Sequence, residues 1–467
     1  MNKRSLVFIF LIVLLALVII NGASLLYVIS FVVWSAGILY SSKDFYNRGM
    51  LFMFLISFFV FLMGRDFLEE LFVYRVESDI PNNVLTHTYI TTILSLGTLL
   101  LGYRWFSRKN KHVVAEKQTQ VERIRNHYVR DISKLLFYIS TCFAFISKIS
   151  IALFVLKNGY KAYYLGYSNY LSNNIFIFLS SKIELMMPVS LCVYLASMPR
   201  KKDYFKIVVV YVVYLILTFF SGQRGPLVLG CLLLIVYEIF RQGLTKQYIS
   251  IRRKHVILFL IGVPLISLAL TLYSNKRFGE DSSNLSLLSS VPAFMYDQGV
   301  SSNVIKRAYE FKDRIPDQPY IMEFIHGGIF AKILGIEVYH GNSEEHAMKG
   351  GSFTHTIGYV VMGKEYLAGR GTGSSYIAEL FQCLGYFGIV LGNVLYAFLL
   401  SRMLTLNSKT TIFKFSLFLF FTPQLLWAPR ASFSGFMSMI SAPTVLLAFI
   451  IIFGGAHLCK LIKTSND

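Results

Sequence analysis

Charge is scarce in this sequence of 467 residues. Charged side chains make up 15% of it, and acidic ones are fewer still, 25 against 45 basic. A soluble domain carries about 25% charged residues, and 55% hydrophobic residues cannot all be buried in one water-soluble core. Cysteine is also rare. The five stand singly at Cys142, Cys192, Cys231, Cys383 and Cys459, in or beside apolar runs and with no CxxC pair. That excludes a disulfide framework and a thiolate zinc site as readings. No Walker or Rossmann fingerprint occurs. No Asp-x-Asp chelator of a metal–nucleotide-sugar is present either; Glu77-Ser78-Asp79 is the nearest approach. Pro-rich, Gly/Ser-rich and heptad stretches and internal repeats are likewise missing.

What is abundant is apolar sequence in blocks of roughly 15–22 residues, the length that crosses a hydrocarbon core. Twelve such segments run at about 5–21, 25–40, 49–64, 86–103, 135–156, 174–198, 207–221, 226–240, 256–273, 376–401, 415–427 and 433–454. The expected fold is all-α: a polytopic membrane protein with about 12 transmembrane helices and one large outer loop. Residues 1–273 would form a membrane bundle of about nine helices, 274–375 the extracytoplasmic loop, and 376–467 the last membrane helices. Lys3 and Arg4 before Leu6–Ile20 have the form of a signal peptide. A second apolar run, Leu25–Tyr40, follows at once, so an uncleaved first helix is expected.

Charge sets the orientation. With the N-terminus cytoplasmic, the loops on that side sum to +21, most heavily at 104–134 (+6) and 241–255 (+5), while those opposite sum to zero. The excess on one face follows the positive-inside rule. The net charge of +20 therefore reports topology, and nucleic acid is not an expected partner.

Four stretches on the outer side carry candidate chemistry. In Ser221-Gly222-Gln223-Arg224-Gly225-Pro226, Arg224 is a cation between two apolar helices. A membrane-edge Arg is costly and points to an anionic partner, and a guanidinium matches a phosphate bidentately. Arg430, in Ala428-Pro429-Arg430, is a second cation at that edge and would help clamp a pyrophosphate. In Gly369-Arg370-Gly371-Thr372-Gly373-Ser374-Ser375-Tyr376-Ile377-Ala378-Glu379, glycines lead into Ser374 and Ser375 as helix caps. Free amides there suit phosphate oxygens, and Glu379 would accept a proton from a sugar hydroxyl. In Tyr296-Asp297-Gln298-Gly299-Val300-Ser301-Ser302, a helix would put Gln298, Ser301 and Ser302 on one face near Asp297, where hydroxyls are read. Each stretch has a bland counterpart: a lipid-snorkelling Arg, a structural cap, a solvated helix. The outer loop holds His326, His340, His346 and His355 and many tyrosines. Aromatic faces between polar groups suit sugar rings. His340, Glu344, Glu345 and His346 are the nearest thing to a metal cluster, but Gly341 and Asn342 favour a turn, and no metal is expected.

The segment Gly371–Leu380, followed by Gly385-Tyr386-Phe387-Gly388, resembles the O-antigen polymerases of the Wzy type. Gln298-Gly299-Val300-Ser301, the Ser221–Gly225 turn and Pro429-Arg430 resemble them too, in order and in topological side. The Arg-x10-Gly repeat of some members is absent. The resemblance implies a glycosyltransferase of the bacterial cytoplasmic (inner) membrane, with both termini cytoplasmic and no cofactor. It would polymerise undecaprenyl-pyrophosphate-linked oligosaccharides on the outer face. Membrane lipids and a chain-length regulator protein are the other expected partners. In that reading Arg224, Arg430 and Arg370 hold the pyrophosphate. Glu379 is the base or electrostatic stabiliser, with Asp297 second, and Tyr376 and Gln298 position sugars. An O-antigen ligase and a lipid-linked oligosaccharide flippase or transporter are the alternatives; neither inverted repeats nor a broken helix is legible for a transporter.

Overall fold

The computed structural model describes residues 3–71, 80–107, 127–159, 170–220, 224–244, 289–403 and 411–466, with the single positions 163, 167, 268, 272 and 286. Among these there is no strand. Eight of the described helices are long and apolar enough to cross a membrane: Leu25–Ser42, Asn47–Glu70, Asn82–Ser107, His127–Asn158, Ile175–Ala196, Tyr376–Met403, Ile412–Arg430 and Pro443–Lys463. Phe8–Ile20 is a shorter apolar helix. Lys201–Phe220 and Arg224–Leu244 are helices at two more of the expected segments. The expected segment at 256–273 lies, but for positions 268 and 272, outside the described residues.

Helix starts follow local chemistry. Ser24 caps α2 (Leu25–Ser42) and Asp44 caps α3 (Phe45–Phe58), each side chain accepting from a backbone amide three residues on. Such a bond satisfies one of the orphan N–H groups of the first turn. Polar residues on the long helices are largely satisfied at once. Ser41, Thr88, Ser140 and Thr422, for example, each donate to a carbonyl three or four residues back, the pattern that removes the cost of a hydroxyl in hydrocarbon. Two charges at membrane depth pair directly: Lys148 Nζ lies 2.8 Å from Glu184 Oε1, which also accepts from Tyr214 Oη.

Three elements depart from the simple reading. The helix expected to stop at 64 passes through a π-helical turn, Phe59–Met63, and continues as α4 (Gly64–Glu70). Charges assigned to an outer loop are thus buried at a helix end. The helix expected as unbroken at 376–401 is interrupted. In α17 (Tyr376–Met403), Leu384 and Gly385 leave helical geometry, Gly385 with φ +60°. Eight residues of straight helix span about 12 Å, yet a Cβ on Gly388 would sit 2.3 Å from Leu380 O. The chain turns sharply there, and only glycine fits the contact. Lastly, the helix expected from 433 begins at Pro443 as α20 (Pro443–Asn466), because 428–441 form a layer of short turns.

Residues 289–375 also fold into short pieces. These include α11 (Ser290–Gln298), α12 (Val300–Glu310), α13 (Gly328–Leu334), α14 (Glu344–Lys349), α15 (Phe353–Met362) and α16 (Lys364–Leu367). They gather where α4 and α18 (Ile412–Trp427) end and where α5 (Asn82–Ser107), α17 and α20 begin. The contacts that hold them there form the candidate site.

Candidate functional site

Glu379 sits in the short first part of α17 and is fully buried. Both carboxylate oxygens are occupied. Ser374 Oγ donates to Oε1 at 2.6 Å, and the Phe433 N–H donates to Oε2 at 2.7 Å. One side chain therefore joins the Gly-rich approach to α17 with the turn that follows α18. Tyr396 Oη, donating to the Phe433 carbonyl at 2.8 Å, holds the same turn from the second part of α17. Two short hydrogen bonds to one buried carboxyl group, with the Tyr396 bond beside them, fix this junction.

The turn so fixed carries Arg430. Its guanidinium donates from Nη1 to the Gln298 carbonyl at 2.7 Å and lies 5.6 Å from the Phe61 ring and 6.0 Å from that of Trp427. The side chain is half-buried. The two aromatic faces and the Gln298 carbonyl orient it. The structure thus brings together three separately expected residues, Glu379, Arg430 and Gln298, from positions about 50 to 130 apart in sequence.

Beneath Gln298 lies a buried charge network. Lys306 Nζ contacts Asp66 Oδ1 at 2.6 Å and Glu69 Oε2 at 3.7 Å. Ser302 Oγ donates to Asp66 Oδ2 at 2.7 Å. Arg65 pairs with Glu69 at 3.1 Å, donates to Tyr296 Oη at 2.8 Å and stacks 4.0 Å from that ring's centre. The four charged side chains are each less than 10% exposed and carry two charges of each sign. Gly299 presses on this platform: a Cβ there would lie 2.5 Å from Arg65 Cβ and 2.8 Å from its amide N. The network anchors the α11–α12 corner to α4, and the corner presents the carbonyl that aims Arg430. Sequence reading missed it. Its local trace is Arg65, Asp66 and Glu69 spaced to share one helical side, but nothing local identifies Lys306 as their partner.

The remaining expected residues are placed as follows. Asp297 is exposed, facing away from buried Gln298. Ser301 and Ser375 are buried, and Ser375 Oγ has no hydrogen-bond partner. Tyr376 is fully buried with its hydroxyl 2.9 Å from Asn393 Oδ1 and its ring against Phe54 and Tyr396. Arg370 pairs with Glu365 at 3.0 Å near the surface. Arg224 begins α10 (Arg224–Leu244); its side chain and residues 221–223 lie outside what is described.

The histidines of 289–375 make a layer of their own. His346 Nδ1 is 2.7 Å from the Gly341 carbonyl, and since a carbonyl only accepts, that nitrogen carries the proton. Its ring stacks on His355 at 3.7 Å, and His355 Nδ1 meets Tyr366 Oη at 2.8 Å. Burial, then the neighbouring His346, pushes His355 down to about 4. Burial likewise lowers His346. Two neutral imidazoles stack without repulsion. Glu323, another residue missed in the sequence, accepts from Ser352 Oγ at 2.6 Å beside this layer. Among the described residues no group of three His, Cys, Asp or Glu is arranged to hold a metal.

The family described as O-antigen polysaccharide polymerase Wzy matches residues 3–462, nearly the whole chain. No curated protein and no solved structure matches it.

Proposed function

The chain belongs to the O-antigen polysaccharide polymerase Wzy family, and from that premise we propose that it joins lipid-linked oligosaccharide repeat units at the Glu379–Arg430 junction. The growing glycan on undecaprenyl pyrophosphate is the donor, and a fresh lipid-linked unit is the acceptor. The acceptor's hydroxyl oxygen bonds to the donor's anomeric carbon. The bond from that carbon to the pyrophosphate oxygen breaks, and its electron pair leaves with the pyrophosphate. Arg430, the half-buried cation at the junction, faces the charge that develops there. Donors preorganised for such charge are commonly the largest single catalytic contribution.

Glu379 receives the hydroxyl proton. Ser374 Oγ now occupies on Oε1 the place a sugar hydroxyl would take. The other oxygen, on the Phe433 amide, keeps the Arg430 turn in register. The reaction is assigned to the outer face because the charge asymmetry leaves the side bearing 289–375 without net charge. A reporter fused at Ser343 that reads cytoplasmic would remove that assignment. The single observation that carries the site is the convergence of Ser374, Phe433 and Gln298 on Glu379 and Arg430.

The test is the polysaccharide ladder of a strain lacking this gene. Wild-type protein should restore long chains. Glu379→Gln, at matched membrane levels, should leave single repeat units, since loss of a positioned base typically costs about 10²–10⁴ in rate. Normal chain lengths from Glu379→Gln would sink the role given to this carboxylate. One observation favours a second reading: a helix broken in mid-course, as in α17, is a feature of transporters. If the deletion strain displays no repeat unit at all, transport or ligation fits better than polymerisation.

A further inference from the structure

Large apolar side chains in 289–375 are mostly covered. Of the six that are exposed, four lie together: Ile333 (74%), Leu334 (57%) and Val338 (40%) on and after α13, and Met322 (42%) in the preceding turn. This is not a poorly formed core. The other side of α13 is well packed, with Ala331 fully buried and Phe330 edge-on to Phe324 at 5.7 Å. α13 thus has a settled inner face and an apolar outer one.

Its height relative to the bilayer is fixed by a tether. The Ile329 N–H donates to Ser441 O at 2.8 Å, and a Cβ on Gly328 would lie 2.2 Å from the same oxygen. Two residues later Pro443 opens the span Pro443–Lys463. At 1.5 Å per residue its 21 residues cover about 31 Å, the thickness of the hydrocarbon core. Pro443 therefore marks the edge of that core. Ile333 is four residues beyond Ile329, at most about 6 Å further along the helix axis. The headgroup layer on one side is about 5–7 Å deep. Ser441 is at most about 7 Å from Pro443, so a helix lying along the membrane plane keeps Ile333 at the level of that layer. α20 itself exposes Leu447, Ile450 and Ile451 along its length, and exposed Lys332 offers a cation to lipid phosphates.

We infer that Gly328–Val338 is an interfacial segment that beds into lipid headgroups and holds the surrounding layer at the height of the lipid phosphates. A partly apolar segment with a basic residue, lying in the interface plane, is what binds such a surface. The inference stands apart from the proposed chemistry, since it uses neither Glu379 nor Arg430.

The experiment places a reporter on the patch. Ile333→Trp is reconstituted in phosphatidylcholine vesicles, and the emission of the added indole is taken as the difference from wild type. Replacing the lipid by one brominated near the headgroup end of its chains should quench that emission about twofold or more, with little effect of aqueous acrylamide. An indole insensitive to brominated lipid overturns the inference, whether it is open to acrylamide (a solvated segment) or shielded from both (a face covered by protein). Leu334→Trp gives a second reading should Ile333→Trp fail to reconstitute.

Discussion

Arg430→Ala should reduce polymerisation by about 10²–10³, the usual cost of removing one preorganised contact to a developing oxyanion. The reason is its setting. The guanidinium donates to the Gln298 carbonyl and lies against the Phe61 and Trp427 rings, so its position is set. Arg430→Lys keeps the charge but loses the planar fork and the stacking. It should fall between alanine and wild type. The effect should appear in turnover at saturating lipid-linked substrate, because the contact strengthens as the pyrophosphate leaves. Chain-length distribution at matched membrane levels checks it. If both variants make long chains normally, the phosphate site lies elsewhere, with Arg370 and Arg224 next to examine.

Breaking the network under Gln298 should have the largest effect on stability. Lys306→Met leaves Asp66 and Glu69 buried with one cation between them in place of two. Removing one partner of a buried ion pair costs about 3–5 kcal/mol. Thermal unfolding in detergent, followed by loss of monodisperse protein, should shift sharply down. The double variant Asp66→Asn, Lys306→Met restores charge balance and should be more stable than Lys306→Met alone, because the uncompensated charge and not the lost attraction is the main penalty. A double variant that is worse than the single one by the full cost of a second lesion would show that the two residues act independently. That would contradict the 2.6 Å contact between them.

The features legible in the sequence are those written in local pattern. Apolar blocks of membrane length gave most of the helices. Gln298 and Arg430 stood out because each adjoins a glycine or proline, and Glu379 because it is a lone carboxylate at the start of an apolar run behind a Gly-rich stretch. The ion network was not legible, because its pairing links α4 to a residue some 240 positions away. The helix carrying it runs past its apolar stretch because the paired charges can be buried. Nor could periodicity find the break in α17. Leu384 and Gly385 sit in an unbroken apolar run, and what marks the site is a positive φ and a carbonyl against Gly388, neither of which alters hydropathy. Tyr376 illustrates the reverse: aromatic and adjacent to the site, it is spent on Asn393, Phe54 and Tyr396 in the core.

This chain alone is expected to lengthen a glycan by transfer from one lipid pyrophosphate to another. Purified protein in proteoliposomes, given only undecaprenyl-pyrophosphate-linked repeat units, should build a ladder of lengthening lipid-linked chains and release undecaprenyl pyrophosphate, one for each bond formed. Nucleotide sugar, ATP and divalent metal should be dispensable. Single units left unchanged by active-folded protein, or a ladder that disappears in chelator and returns with added Mg²⁺ or Mn²⁺, would contradict the account.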